Sequence, residues 1–91
     1  MARALTVTRR AVTPEREAAY LAERGEEAER FEGDGDHLWV FRHESHPGVY
    51  LEFRESVDRD RLLVNDPTAE IWHGVDLGVD AMPRSGEDEP T

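Results

Sequence analysis

The sequence predicts an α+β fold of the ferredoxin-like kind, with the order βαββαβ and an antiparallel sheet. Three observations predict it. A period-two segment opens the chain, a long period-3.6 segment follows, and two further period-two segments flank a His-Pro-Gly turn. The split βαβ arrangement then places helices on one face of the sheet. At 91 residues and 10.4 kDa the chain has room for one modest core and one domain. That domain is expected over residues 1–82, followed by a polar, disordered tail over 83–91.

Residues 3–12 form the first expected strand. Leu5, Val7 and Ala11 share one face, while Thr6, Thr8 and Arg10 share the other. Arg9 interrupts the apolar set. Thr13-Pro14-Glu15 then reads as a helix start. Thr13 supplies a capping hydroxyl, Pro14 suits the first helical position, and Glu15 and Glu17 favour the positive end of the dipole. Ala18, Leu21, Ala22, Gly25, Ala28 and Phe31 recur at helical spacing. They predict a helix of about 18 residues with a narrow stripe laid close on the sheet. Gly33-Asp34-Gly35-Asp36 ends it, because Gly tolerates the left-handed conformation.

Residues 37–44 and 49–54 read as a hairpin. Pairing residues whose numbers sum to 94 sets Phe41 against Phe53, His43 against Leu51 and Arg42 against Glu52. One face then holds His37, Trp39, Phe41, His43, Val49, Leu51 and Phe53. The other holds Leu38, Val40, Arg42, Glu44, Tyr50, Glu52 and Arg54. A one-residue slip would mix the two sets. The more apolar face is expected to meet the helices, with Tyr50 on the opposite face at an interface between copies. Asp58 caps a short helix through Leu62, Leu63 and Val64. Pro67 interrupts, and Asp66-Pro67-Thr68 starts another helical turn bearing Ile71 and Trp72. Val75, Leu77 and Val79 alternate as a last strand.

Composition excludes several functions. Asp and Glu number 21 against 11 basic residues, for a formal net charge of −10. Nucleic-acid phosphates need a basic face, and so do anionic membranes. Every basic residue is Arg, the side chain suited to planar ion pairs and carboxylate recognition. No apolar run is long enough to span a bilayer, and the amino-terminal alternation is unlike a signal peptide. With no cysteine there is no disulfide or thiolate metal site. A cytoplasmic location is the expectation.

The residues Arg9-Arg10-Ala11-Val12-Thr13-Pro14 leading into a helix, then Gly48-Val49-Tyr50-Leu51-Glu52-Phe53-Arg54-Glu55, then Asp58-Arg59-Asp60 resemble the dimeric α/β-barrel superfamily. The nearest resemblance is to antibiotic-biosynthesis-monooxygenase-like domains, over roughly residues 3–80. It implies a homodimer whose sheets close face to face, and a pocket between each sheet and its helices. Members include cofactor-independent monooxygenases and haem-degrading enzymes. The latter use an Asn near the first strand, which is missing here, so that chemistry is not carried over.

The candidate site follows from these expectations. A partly desolvated His43 is placed to act as a base near neutral pH. Trp39, Phe41, Leu51, Phe53 and Trp72 would form an apolar wall for an aromatic or polyketide-like substrate. This is a monooxygenase-like or isomerase-like reading without a cofactor. The alternative is a non-catalytic homodimeric module that binds a small ligand or merely assembles. A third reading is a metal site between subunits built from histidines. His37 and His43 lie about 20 Å apart along a strand and cannot share one metal, and Glu70-x-x-His73 supplies only two ligands at helical spacing. Asp34-Gly35-Asp36 lacks the distal Glu of a calcium loop. No resident metal or cofactor is therefore expected.

Overall fold

A computed structural model describes residues 3–78. Strand β1 (Ala4–Ala11) leads into helix α1 (Pro14–Gly33), then β2 (His37–Arg42), β3 (Val49–Ser56), helix α2 (Arg59–Asn65) and a two-residue β4 (Trp72–His73). The four strands form one antiparallel sheet in the order β2-β3-β1-β4. This α+β architecture is compatible with a ferredoxin-like fold. The expected tail and Val79 lie outside the described residues.

Local chemistry explains the element ends. Pro14 occupies the first turn of α1, and Glu15 and Glu17 lie beside its N-terminal dipole. Thr13 holds the N-cap position in extended conformation, but its side chain makes no capping bond. The Asp34-Gly35 turn closes α1 as expected, with Gly35 at φ +81°. Asp58 caps α2 by accepting a hydrogen bond from Asp60 N at 3.0 Å.

The hairpin turn rests on Gly48, whose φ is +80°. Its carbonyl accepts from Val12 N at 2.7 Å, and a Cβ there would overlap the Val12 carbonyl oxygen. Gly48→Ala is expected to cost about 2 kcal/mol or more, from left-handed strain plus that clash. Denaturant unfolding checks it; a loss below about 0.5 kcal/mol, the range of ordinary surface substitutions, would contradict it.

Two hairpin expectations meet different fates. The division of side chains between faces is as expected. The register differs by two residues: paired numbers sum to 92, so Trp39 faces Phe53, Phe41 faces Leu51 and Arg42 faces Tyr50. A two-residue shift keeps every side chain on its face. It removes the expected Arg42–Glu52 pair; Arg42 instead lies over the Tyr50 ring at 5.8 Å.

The orientation of the sheet overturns the expected packing. The helices cover the even-numbered face, where Ala4, Thr6, Tyr50, Glu52, Arg54 and Ser56 are buried. The apolar face, which carries the odd-numbered side chains of β1, β2 and β3 together with Trp72 of β4, is open: Val7, Trp39, Phe41, Leu51 and Trp72 are all exposed. Among the described residues the buried hydrophobic side chains are only Ala4, Tyr20, Tyr50 and Leu62. Tyr50, expected at an interface, is 2% exposed beneath α1.

The helix explains the inversion. Ala18, Leu21, Ala22 and Gly25 point to solvent. The stripe that meets the sheet is Glu17, Tyr20, Arg24 and Glu27, also at helical spacing. Three of its polar groups, Glu17, Tyr20 and Glu27, meet polar groups of β3. Tyr50 donates to Glu17, Tyr20 donates to Glu52, and Arg54 donates to Glu27. An apolar sheet face could not have answered these groups, and each would then have been buried unpaired at a cost of about 1–3 kcal/mol.

Beyond α2 the chain departs from expectation. Residues 67–68 make a turn, with Asp66 accepting from Thr68 N at 3.1 Å, and no helix carries Ile71 and Trp72. Trp72 instead pairs with Leu5 in β4. Val75 and Leu77 lie outside any strand.

Candidate functional site

Two places in the fold concentrate unusual chemistry. One is the open apolar face; the other is the ionic layer beneath the helices.

The structure gathers Trp39, Phe41, Leu51, Phe53 and Trp72 on one side of the sheet, and that side is turned away from both helices. They do not line a pocket between sheet and helices, because that space belongs to the even-numbered side chains. Within the open face Phe41 meets Phe53 edge to face at 5.4 Å, and His37 stacks on Trp39 at 5.3 Å. Fractional exposures reach 46% for Trp39, 55% for Trp72 and 56% for Phe41.

His43 sits just past β2, in the hairpin turn, not over the helices as expected. Its Nδ1 accepts from Ser45 N at 3.0 Å and from His46 N at 3.1 Å, and its ring lies 4.3 Å from that of His46. That lone pair therefore organises the turn. The cavity beside His43, against Phe41, Leu51 and Arg9, holds about 90 Å³. Small-molecule pockets usually span about 300–1,000 Å³, so this cavity lies well below that range. Glu70 and His73 are not on a common helix. Among the described residues no three His, Asp or Glu side chains cluster as metal ligands.

The ionic layer was not singled out in the sequence. At its centre Arg54 donates to both oxygens of Glu27, Nε to Oε2 at 2.7 Å and Nη2 to Oε1 at 3.0 Å. Its Nη1 donates to Glu52 Oε1 at 2.7 Å. The Glu52 side chain is 0% exposed. Its Oε2 accepts from the Tyr20 hydroxyl and from Arg10 Nε at 3.3 Å. Asn65 Nδ2 donates to Glu27 Oε2 at 3.3 Å, tying α2 to α1. A second bidentate pair, Arg61 to Asp36 at 2.9 Å, joins α2 to the start of β2.

These contacts fix the charge states. Burial pushes the Glu52 carboxyl up, but the bonds from Tyr20 and Arg54 and the charges of Arg54 and Arg10 outweigh it and hold it below its ordinary value. The Arg61 hydrogen bonds hold Asp36 low as well, against a smaller effect of burial. Burial, then the bond to Glu52, pushes the Tyr20 phenol above its ordinary value. Burial pulls Arg54 down, but its bonds to Glu27 and Glu52 win, so it stays charged.

A pH dependence follows. Two carboxyls lie lower in the folded state than in the unfolded chain, where they titrate near about 4. The folded state thus binds fewer protons in acid. The stability these pairs provide is complete above about pH 5 and drains as pH falls through the unfolded and then the folded pKa. Unfolding measured between pH 7 and pH 3 is expected to show this slope. Replacing Asp36 by Asn and Glu52 by Gln should flatten it; an unchanged slope would contradict the assignment.

A cavity of about 170 Å³ opens beside the layer, lined by Thr6 and Thr8 of β1, by Arg10, Arg24 and Arg54, and by Leu62 and Asn65 of α2, with Glu27 and Asp66 at its wall. The elements that build it are β1, α1, β3 and α2. The sequence signal that marks it is the Glu17, Tyr20, Arg24, Glu27 stripe set against Tyr50, Glu52 and Arg54.

No helix among the described residues is long and apolar enough to cross a membrane. No protein-family model, curated protein or solved structure matches the chain.

Proposed function

We propose that this chain is a non-catalytic assembly module: a ferredoxin-like domain that forms a homodimer, as in a dimeric α/β barrel, by closing two open sheet faces on each other. The carrying observation is the inversion of the sheet. Val7, Trp39, Phe41, Leu51 and Trp72 lie exposed on one contiguous face while Glu52 and Arg54 are buried on the other. Exchanging a buried ion pair for apolar packing is often neutral or stabilising. A monomer would therefore gain by turning the aromatic face inward. Leaving it outward is favourable only where something else covers it.

The area fits a second copy. From their fractional exposures, the five side chains leave on the order of 500 Å² uncovered. This is at the upper end for a monomer's largest apolar patch. It is also most of the roughly 800 Å² per partner that a standard interface buries. A twofold pairing supplies each face with an identical apolar face, with no charged partner required. The small cavity at His43, and the engagement of its Nδ1 by backbone donors, favour this reading over a monooxygenase-like or isomerase-like one.

Sedimentation velocity at micromolar concentration tests it. The expected particle has twice the 10.4 kDa mass of one chain. A single 10.4 kDa species persisting at 100 μM, on the order of a hundred times a typical micromolar dissociation constant, would overturn it.

A further inference from the structure

We infer that residues 75–78 of a second copy add as a further strand to the open edge of β1, pairing antiparallel with residues 8–11. This rests on the dimer reading above and deepens it, because it names the segment that fastens one sheet to the other.

Two observations carry it. The first is the edge itself. β1 pairs with β3 along its whole length but with β4 only at Ala4 and Leu5. Two bonds show which way its backbone points. Val12 N donates to Gly48 O on the β3 side, and Gly74 N donates to Arg3 O on the β4 side. Even-numbered residues therefore bond β3, and odd-numbered ones turn their amides and carbonyls outward. Beyond Leu5, the outward groups of Val7, Arg9 and Ala11 meet no strand among the described residues. The same stretch is bare on both faces: Val7, Arg9, Arg10 and Ala11 are exposed, whereas Ala4 and Thr6 are buried. A row of unpaired edge groups is a template for another strand.

The second is the segment after β4. Val75 and Leu77 alternate with Asp76 and Gly78, and both apolar side chains are open, at 71% and 68%. The pattern is that of a strand, with no strand beside it. This segment cannot serve its own β1. β4 runs antiparallel to β1, so the chain passes Arg3 at Gly74 and leads away from Val7 and Ala11. The same segment of a second copy has no such constraint.

Charge selects the occupant. Arg9 and Arg10 are adjacent on the open edge, so two β1 edges laid together would set like charges close. A strand bearing an acid answers them. With Val75 opposite Ala11, Asp76 lies opposite Arg10, Leu77 opposite Arg9 and Gly78 opposite Thr8. Val75 and Leu77 then extend the apolar face that holds Val7, and Asp76 falls on the helix side with Arg10. In the single chain Asp76 accepts from Gly78 N at 2.9 Å; pairing exchanges that local turn for the arginine.

The chain has no cysteine, so paired cysteines test the register. Asp76 and Arg10 form a non-hydrogen-bonded pair in it, with Cα atoms about 4.5 Å apart, inside disulfide reach. Within one chain, Gly74 lies beside Arg3, which puts Asp76 more than about 20 Å from Arg10 along β1. An Arg10→Cys chain mixed with an Asp76→Cys chain under oxidation is expected to give a covalent particle containing one chain of each kind. Leu21→Cys in place of Arg10→Cys should give none. Leu77→Pro removes the amide that bonds Arg9, and sedimentation should show the dissociation constant raised at least about tenfold. Leu77 is exposed in the single chain, so its own folding is not at stake. A dimer that gives no mixed cross-link, links equally through Leu21→Cys, or tolerates Leu77→Pro overturns the strand addition and leaves the sheet pairing standing. An unaltered chain that sediments as a monomer overturns both.

Discussion

Phe41→Glu is expected to split the proposed dimer into 10.4 kDa monomers without unfolding them. Phe41 is 56% exposed in the isolated chain, so the substitution removes little from the monomer's own packing. Within the chain it removes the edge-to-face contact with Phe53, and across the proposed twofold it buries two carboxylates in an apolar interface. A loss of about 3 kcal/mol is the expected minimum, a hundredfold or more in the dissociation constant. Sedimentation should show the monomer, and circular dichroism should show unchanged secondary structure. Leu21→Glu is the matched control. Leu21 is also a half-open apolar side chain, but it lies on the outer side of α1, so the dimer should persist. Equal disruption by both substitutions, or by neither, would argue against pairing through the sheet.

Glu52→Ala carries the second large effect. It strips Arg54, Arg10 and Tyr20 of a shared acceptor in one step. Removing one partner of a buried ion pair leaves an uncompensated charge, at a cost of about 3–5 kcal/mol. For a domain of this size each kcal/mol shifts Tm by roughly 4–8 °C, so a fall of well over 10 °C is expected. Tyr20→Phe removes only one donor and should cost about 1 kcal/mol. Thermal unfolding of the pair separates the two. A Glu52→Ala protein within about 1 kcal/mol of the parent would mean that the ionic layer does not hold the helices to the sheet.

Much of the fold was legible because local chemistry sets it. Pro14 with the acidic first turn, Gly35 with its positive φ, and Asp58 ahead of Leu62 mark boundaries that tertiary contacts do not move. The division of hairpin side chains was legible too, since alternation survives a two-residue error in register. Which face the helices cover was not legible from hydrophobicity. The rule that apolar faces turn inward assumes that the monomer is the unit being stabilised. Here α1 offers both an apolar stripe at Ala18, Leu21 and Ala22 and a polar one at Glu17, Tyr20, Arg24 and Glu27. The polar stripe won because β3 carries its complement at Tyr50, Glu52 and Arg54. Matching donors to acceptors between the two segments would have found it. The candidate site shared this fate. Trp39, Phe41, Leu51, Phe53 and Trp72 were gathered correctly onto one face but assigned to the wrong side of the sheet, and His43 moved into a turn. Beyond Pro67 the cues were weak: alternation at Val75 and Leu77 had no neighbouring strand to pair with, and Trp72–His73 pairs with β1 instead.

The most direct test is an isotope-filtered nuclear Overhauser experiment on a mixture of labelled and unlabelled chains. Contacts between copies should join the Trp39 and Phe41 rings of one to the Val7, Leu51 or Phe53 side chains of the other, with none from Leu21 on the far side of α1. Cross-peaks between copies confined to the outer surface of α1, or no such cross-peaks from a 10.4 kDa particle, would contradict the face-to-face sheet pairing.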